Sequence, residues 1–381
     1  MKNFFCPISY SKKFKKIFSI KKFPIFMGVS NKPFKYEFEN LNWWINKNSG
    51  NIQIYPKVSL NKLYFKSHGS GTVGKTWNDH HELFYKIVSK FLKGNICEIG
   101  GGQNSVLNRI NNFSNIKNFY CFDKNFQSKK KNNKVKIIKK FFDKGYFINK
   151  SEISIDLIIH SHTFEHLYDP NQFLKDVKSI LSKNGKHIFT MPNMKPMIKG
   201  YYANAMNFEH PFYYDEKLID SLLIKNNFKI IKKKLFKKDH SIMYLTKLDH
   251  SLKNINNEST IKHYSEYKEN LKIFNKMFNF WKRDIVKINK LKKKYQNVFI
   301  FGAHIFSQMM LFNGLDKGNI VGILDNDKLK INKFLYGTKL KIFNPIKLKE
   351  INKPCVILRA GSYNKEIQSQ LLQINKKIII I

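Results

Sequence analysis

Between residues 61 and 247, short apolar runs alternate with amphipathic stretches, and this alternation constrains the fold more than any other feature of the chain. "NICEIG" (95–100), "NFYCFD" (118–123), "VKIIKKFF" (135–142), "IDLIIHSH" (155–162), "KHIFTMP" (186–192) and "FKIIKKKLF" (228–236) read as strands. "HHELFYKIVSKFL" (80–92) carries Leu83, Phe84, Ile87, Val88 and Phe91 at helical spacing, which predicts a helix with one buried face. "PNQFLKDVKSILSKNG" (170–185) and "DEKLIDSLLIKNN" (215–227) predict two more, the first closed by Gly185. Strands apolar along their whole length, separated by helices, belong to an α/β fold whose parallel sheet is covered on both faces.

The flanks differ. Residues 1–60 hold Pro24, Pro33, Pro56 and the pair Trp43–Trp44, with no sustained helical period, and are read as a small N-terminal domain. Residues 248–295 are read as a helical linker, polar and helical from about 256. Residues 296–381 return to strand patterns in "NVFIFGAH", "IVGILDND" and "PCVILRAG", which predicts a smaller lobe of the same α/β class. At 381 residues the chain suits two or three domains.

Composition narrows the function classes. No run of about 18 apolar residues is present, so no membrane span is expected. The basic start lacks the compact apolar run of a signal peptide. Cys97, Cys121 and Cys355 sit in strand-like runs, and Cys6 is remote from them, so the cysteines read as core residues and the compartment as cytoplasmic. The net charge of +42 invites a nucleic-acid reading, but lysine is spread along the chain and arginine is scarce. A nucleic-acid partner is not expected. A basic surface still favours anionic small molecules. Nothing in the sequence fixes the oligomeric state.

Gly100, Gly101 and Gly102 follow the first strand, just after Glu98. Glycine forgoes packing and costs chain entropy, so three together ask for a ligand that needs bare backbone. Ligands of open parallel sheets sit at the carboxyl ends of the strands, where Asp123 also lies, ready to bond a ribose. The loop is not GxGxxG, since Gln103 and Ser105 intervene. An acid ahead of the glycines resembles class I S-adenosylmethionine (SAM) methyltransferases. The run from Asp156 through Glu165, His166, Asp169 and Pro170 to Gly185, Pro192 and Asn193 resembles them too. Ser161, ending the fourth strand, joins Glu98, the three glycines and Asp123 as an expected cofactor residue. "MNFEHPFYYD" (206–215) places Glu209 and His210 among aromatics, and a histidine oriented by a carboxylate suits a general base.

Taken in order, "FPIFMG", "WWINKNSGNIQ", "LYFKSHGSGTVGKTWNDHH", "CEIGGG", "FEHLYDP", "NFEHPFYY", "VFIFGAH", "GILDND" and "YNKEI" resemble the sugar C-methyltransferases. Those are SAM-dependent enzymes acting on nucleotide-linked keto-sugars, with a small zinc-binding N-terminal domain and a C-terminal Rossmann-like lobe. The resemblance implies SAM as cofactor, a nucleotide-sugar substrate, His210 as base beside Glu209, His166 as a second active-site histidine and Tyr64 near an active-site tyrosine. Two departures stand out. Asn207 and Phe208 replace the tyrosine and first histidine of the family's loop, which leaves carbon and oxygen methylation both open. "CPIS" (6–9) offers one cysteine and "NKNS" (46–49) none, so no metal is expected. An RNA methyltransferase and a SAM-fold interaction protein without turnover are the other readings.

Overall fold

The computed structural model describes residues 4–7, 9–33, 36–64, 74–102, 104–126, 132–148, 153–249, 251 and 266–381. Gln103, residues 65–73 of the "LYFKSHGSGTVGKTWNDHH" stretch and residues 256–265 of the expected helical stretch lie outside them. The N-terminal segment forms an antiparallel sheet of β1 (Phe14–Pro24), β2 (Phe38–Asn46) and β3 (Ile52–Ile54), in that order. Leu41, Trp43 and Ile45 point into the core while Asn42 and Trp44 are half-exposed, the period of two that a one-sided sheet requires.

The large sheet begins after helix α1 (Lys75–Val88). Its strands are β4 (Gly94–Ile99), β5 (Ile116–Phe122), β6 (Val135–Ile138) and β7 (Ile155–Ser161). Helix α2 (Pro170–Ile180) leads to β8 (Leu181–Pro192), followed by α3 (Met194–Lys199) and α4 (Glu216–Lys225). Then come β9 (Phe228–Phe236) and β10 (Ser241–Leu248). Their order across the sheet is β9-β10-β8-β7-β4-β5-β6. Only β10 runs against its neighbours, inserted between β8 and β9. Numbered from the sheet's first strand this is 6-7-5-4-1-2-3 with strand seven reversed, the class I methyltransferase arrangement, and the α/β reading holds.

Three details differ from the sequence reading. Gly185 does not close α2; the helix ends at Ile180, and Gly185 lies in the irregular start of β8, where pairing with β7 jumps between Leu181 and Lys186. The third strand stops at Ile138, because it is an edge strand and Phe141 beyond it is exposed. Strand β10 was not anticipated at all.

Alternate strand residues enter two separate cores. Cys97, Ile99, Tyr120, Phe122 and Ile158 pack with α2, while Ile96, Phe119, Cys121, Leu157 and Ile159 pack with α1. This is why the strands are continuously apolar. Asp169 caps α2 by accepting from the Gln172 backbone N–H at 2.9 Å, with Pro170 at the first turn. The four cysteines are buried and free.

Helix α5 (Tyr267–Lys292) has 26 residues, about 39 Å of length. Its first half packs Phe274, Met277, Phe278 and Trp281 into the core beneath the N-terminal sheet, and its second half packs Ile285 and Ile288 into that of the small lobe. The small lobe contains β11 (Val298–Phe301), α6 (Ile305–Phe312), β12 (Ile320–Leu324), β13 (Ile342–Phe343), β14 (Cys355–Ile357), α7 (Asn364–Ile374) and β15 (Ile379–Ile380). Its sheet is parallel, ordered β13-β12-β11-β14-β15. No helix among the described residues is long and apolar enough to cross a membrane.

Candidate active site

The glycine loop leaves β4, the central strand, at its carboxyl end. Gly100 has φ +69° and Gly102 has φ +54°, a region L side chains avoid. A Cβ on Gly100 would lie 2.5 Å from Thr163 Oγ1, and one on Gly101 would lie 3.0 Å from the Ser105 side chain. A Cβ on Gly102 would meet nothing within 4 Å. Gly100 and Gly101 are thus required by the close approach of Thr163 and Ser105, and Gly102 alone of the three faces open space.

Asp123 meets the last of the three glycines. Gly102 N–H donates to Asp123 Oδ2 at 3.0 Å, and Asn125 N–H donates to Oδ1 at 2.8 Å. Each carboxylate oxygen keeps a second lone pair for a ribose hydroxyl. Glu98 is turned to a different task. It is buried and accepts from Val106 N–H at 2.7 Å, from Leu107 N–H at 3.4 Å and from the Ser105 hydroxyl. It therefore fixes the loop rather than facing the open space, and burial pushes its carboxyl up to about 7. Ser161 ends β7, and its carbonyl accepts from Thr163 Oγ1 at 3.4 Å; that hydroxyl also reaches Ile99 O at 3.1 Å. Thr163 was missed by the sequence reading.

His166 and His210 meet with ring centroids 4.7 Å apart at 68°. His210 Nδ1 lies 2.9 Å from Asn204 O. A carbonyl has no proton to give, so Nδ1 carries the hydrogen and Nε2 of the neutral ring keeps its lone pair. His166 Nδ1 is 3.1 Å from Glu209 O and 2.7 Å from Tyr64 OH. His166 Nδ1 therefore meets one group that only accepts, the Glu209 carbonyl, and one that can donate or accept, the Tyr64 phenol. Glu209 is buried beside them. Asn207 Oδ1 accepts from the N–H groups of Glu209 at 2.8 Å and His210 at 3.2 Å, while Phe208 is buried against Phe23.

The N-terminal sheet holds this loop. Ile54 N–H donates to Pro211 O and Tyr213 N–H to Ile52 O, both at 2.8 Å. Asn51 Nδ2 donates to Tyr213 O at 3.0 Å. The four positions where the resemblance places zinc ligands do converge, but as hydrogen-bonding groups. Cys6 Sγ is 3.2 Å from Ser49 Oγ, and the Ser9 and Ser49 hydroxyls each donate to Asn46 Oδ1 at 3.2 Å. One thiol among hydroxyls and an amide does not fit a structural zinc.

A cavity of about 350 Å³ lies between the lobes. His166, Glu209 and His210 line one side; Gly302, Asp325 and Lys330 of the small lobe line the other. There Ala303 N–H donates to Asp325 Oδ2 at 2.7 Å, repeating the Gly102–Asp123 contact of the large lobe. Sequence reasoning also missed a histidine cluster on this cavity's wall. His80, His81, His162 and His240 surround Trp77. Burial lowers His81 to about 4 and His162 and His240 to about 3, with His80 lower still, so all are neutral at neutral pH.

Residues 77–233 match the family described as a methyltransferase domain, and residues 247–379 match that described as a C-methyltransferase C-terminal domain. No curated protein is significantly similar. Among solved structures, a putative SAM-dependent methyltransferase from Listeria monocytogenes aligns at 12% identity and TM-score 0.35, over 44% of this chain and 98% of its own. A putative type 11 methyltransferase from Sulfolobus solfataricus aligns at 19% identity and TM-score 0.31, over 43% and 89%. Magnesium protoporphyrin IX methyltransferase from Synechocystis, solved with SAH, aligns at 14% and 0.35, over 47% and 89%. The strand order and the two domain matches carry the identification without these distant likenesses: the chain is a methyltransferase, and its cofactor is SAM.

Proposed function

We propose that this methyltransferase acts on the carbon beside a ketone in a nucleotide-linked sugar or related glycan precursor, with His210 as the base. The observation that carries this reading is the 2.9 Å contact of His210 Nδ1 with the Asn204 carbonyl, which leaves Nε2 of a residue lining the cavity between the lobes to take a proton. The small lobe's glycine turn and Asp325 line the same cavity, a suitable place for the nucleotide end of a substrate. The C-methyltransferase description of the matched C-terminal domain favours carbon over oxygen as acceptor.

SAM, when bound, supplies an electrophilic methyl on a sulfonium sulfur. The chain's own part is to take a proton and hold charge. His210 Nε2 removes the proton from the carbon next to the carbonyl, and the released pair forms an enolate. His166, on the same cavity, can donate a ring N–H to the enolate oxygen. Tyr64, whose phenol is held protonated by burial and by the Glu209 charge, fixes the His166 ring. Asn207, in the place of the family's tyrosine, fixes the loop and supplies no phenol.

Two measurements test this. Incubation with SAM and a panel of nucleotide keto-sugars, followed by mass spectrometry, should show gain of one methyl group. In D2O the parent should exchange the proton beside the ketone, and His210→Ala should lose that exchange while binding SAM normally. Exchange that survives in His210→Ala removes His210 as the base; methyl gain without exchange points to a hydroxyl acceptor.

A further inference from the structure

The histidine cluster has no part in the chemistry above. Among the described residues, His80, His162 and His240 each present one ring nitrogen within 4.8 Å of the other two. They come from three separate elements: α1, the turn after β7, and the turn before β10. We propose that these three imidazoles form a binding site for a divalent transition-metal cation of the zinc or cobalt type.

The arrangement beyond the three rings is that of a ligand set. Metal-bound histidines donate their second N–H to an outer partner that fixes ring and tautomer. His162 has Glu165 Oε1 at 3.1 Å from Nδ1, which leaves Nε2 for the cation. His240 has Tyr363 OH at 3.1 Å from Nε2, which leaves Nδ1. Those two remaining nitrogens converge on Ser241 Oγ, at 3.0 and 2.6 Å. His80 is fully buried; Nε2 is 3.1 Å from Thr190 Oγ1, and Nδ1 has no hydrogen-bond partner among the described residues. An unpaired buried nitrogen is costly, and a cation would remove that cost. Tetrahedral bonds of about 2.0–2.1 Å put donors about 3.4 Å apart, so nitrogens within 4.8 Å of one another need close by at most about 1.4 Å. Three imidazoles plus a hydroxyl or water suit zinc and cobalt rather than magnesium or calcium. His162 and His240 also line the cavity, which gives the cation an entry path.

The test uses the full chain stripped of metal with a chelator, titrated calorimetrically with ZnCl2 and, in parallel, with CoCl2 followed by visible absorbance. One equivalent should bind, and His162→Gln and His240→Gln should each weaken it at least about 10-fold. Cobalt should quench Trp77 fluorescence, since that ring lies 4.7 Å from His240 and 4.9 Å from His162, and Trp77→Phe should abolish the quenching. SAM affinity, read on the same samples, reports both folding and the methyltransferase reading independently of metal. No zinc binding by protein that still binds SAM overturns the site. So does zinc binding that His210→Gln removes and His240→Gln leaves intact, because the cation would then sit on Glu165, His166 and His210.

Discussion

Gly102→Ala separates a cofactor cradle from an ordinary turn. The added methyl meets nothing within 4 Å, so the whole folding cost is conformational. An L residue at this positive φ costs about 1–2 kcal/mol, and reduced freedom of the unfolded chain returns about 0.4–1. The net loss of stability should be about 1 kcal/mol. The methyl stands where the cofactor backbone contact is expected, and SAM affinity should fall at least about 10-fold, or about 1.4 kcal/mol. Gly100→Ala is the contrast. Its Cβ would sit 2.5 Å from Thr163 Oγ1, which itself donates to Ile99 O, so it should lose about 2–3 kcal/mol of stability by strain and a broken hydrogen bond. Urea unfolding and calorimetric SAM titration read the two effects. A Gly102→Ala protein that binds SAM within twofold of the parent refutes the cradle.

Glu98 makes the fold pH-dependent. Its carboxyl is raised by burial from 4.5 to about 7, so between those values the unfolded chain has released a proton that the folded chain keeps. Its contribution to stability is full below about pH 4.5 and falls by up to about 1.4 kcal/mol per pH unit until about 7. Glu98→Gln should remove that slope and add a constant penalty from an amide facing Ser105; parallel pH profiles of the two proteins would contradict this. Asn51→Ala should cost about 1–2 kcal/mol and lower kcat with little change in SAM affinity, because Asn51 reaches, through Tyr213 O, the loop that carries His210 and not the glycine turn; unchanged kcat in steady-state assays would argue against that coupling. The triple change Ser9→Cys, Asn46→Cys and Ser49→Cys should bind one more zinc than the parent, read by metal analysis, since these side chains already converge with Cys6.

The amino-acid sequence determined the parts whose cause is local. Continuous apolar runs specify strands buried on both faces, Asp169–Pro170 specify a helix start, and Gly100 and Gly102 specify backbone that no other residue adopts cheaply. The α/β class was legible for that reason, as was the glycine turn at the carboxyl end of its central strand. Tertiary structure alone decided what depends on distant partners. Glu98 looked like a ligand and became a strut, because only folding brings Val106, Leu107 and Ser105 onto its two oxygens. The edge position shortened β6, and β10 found its place only by pairing between β8 and β9. The partners of His166 and His210 are carbonyls of Glu209 and Asn204 and the Tyr64 phenol, and the meeting of His80, His162 and His240 spans three elements with no shared spacing. Hydrogen bonds and buried charges act over a few ångströms, whatever the number of residues between their partners.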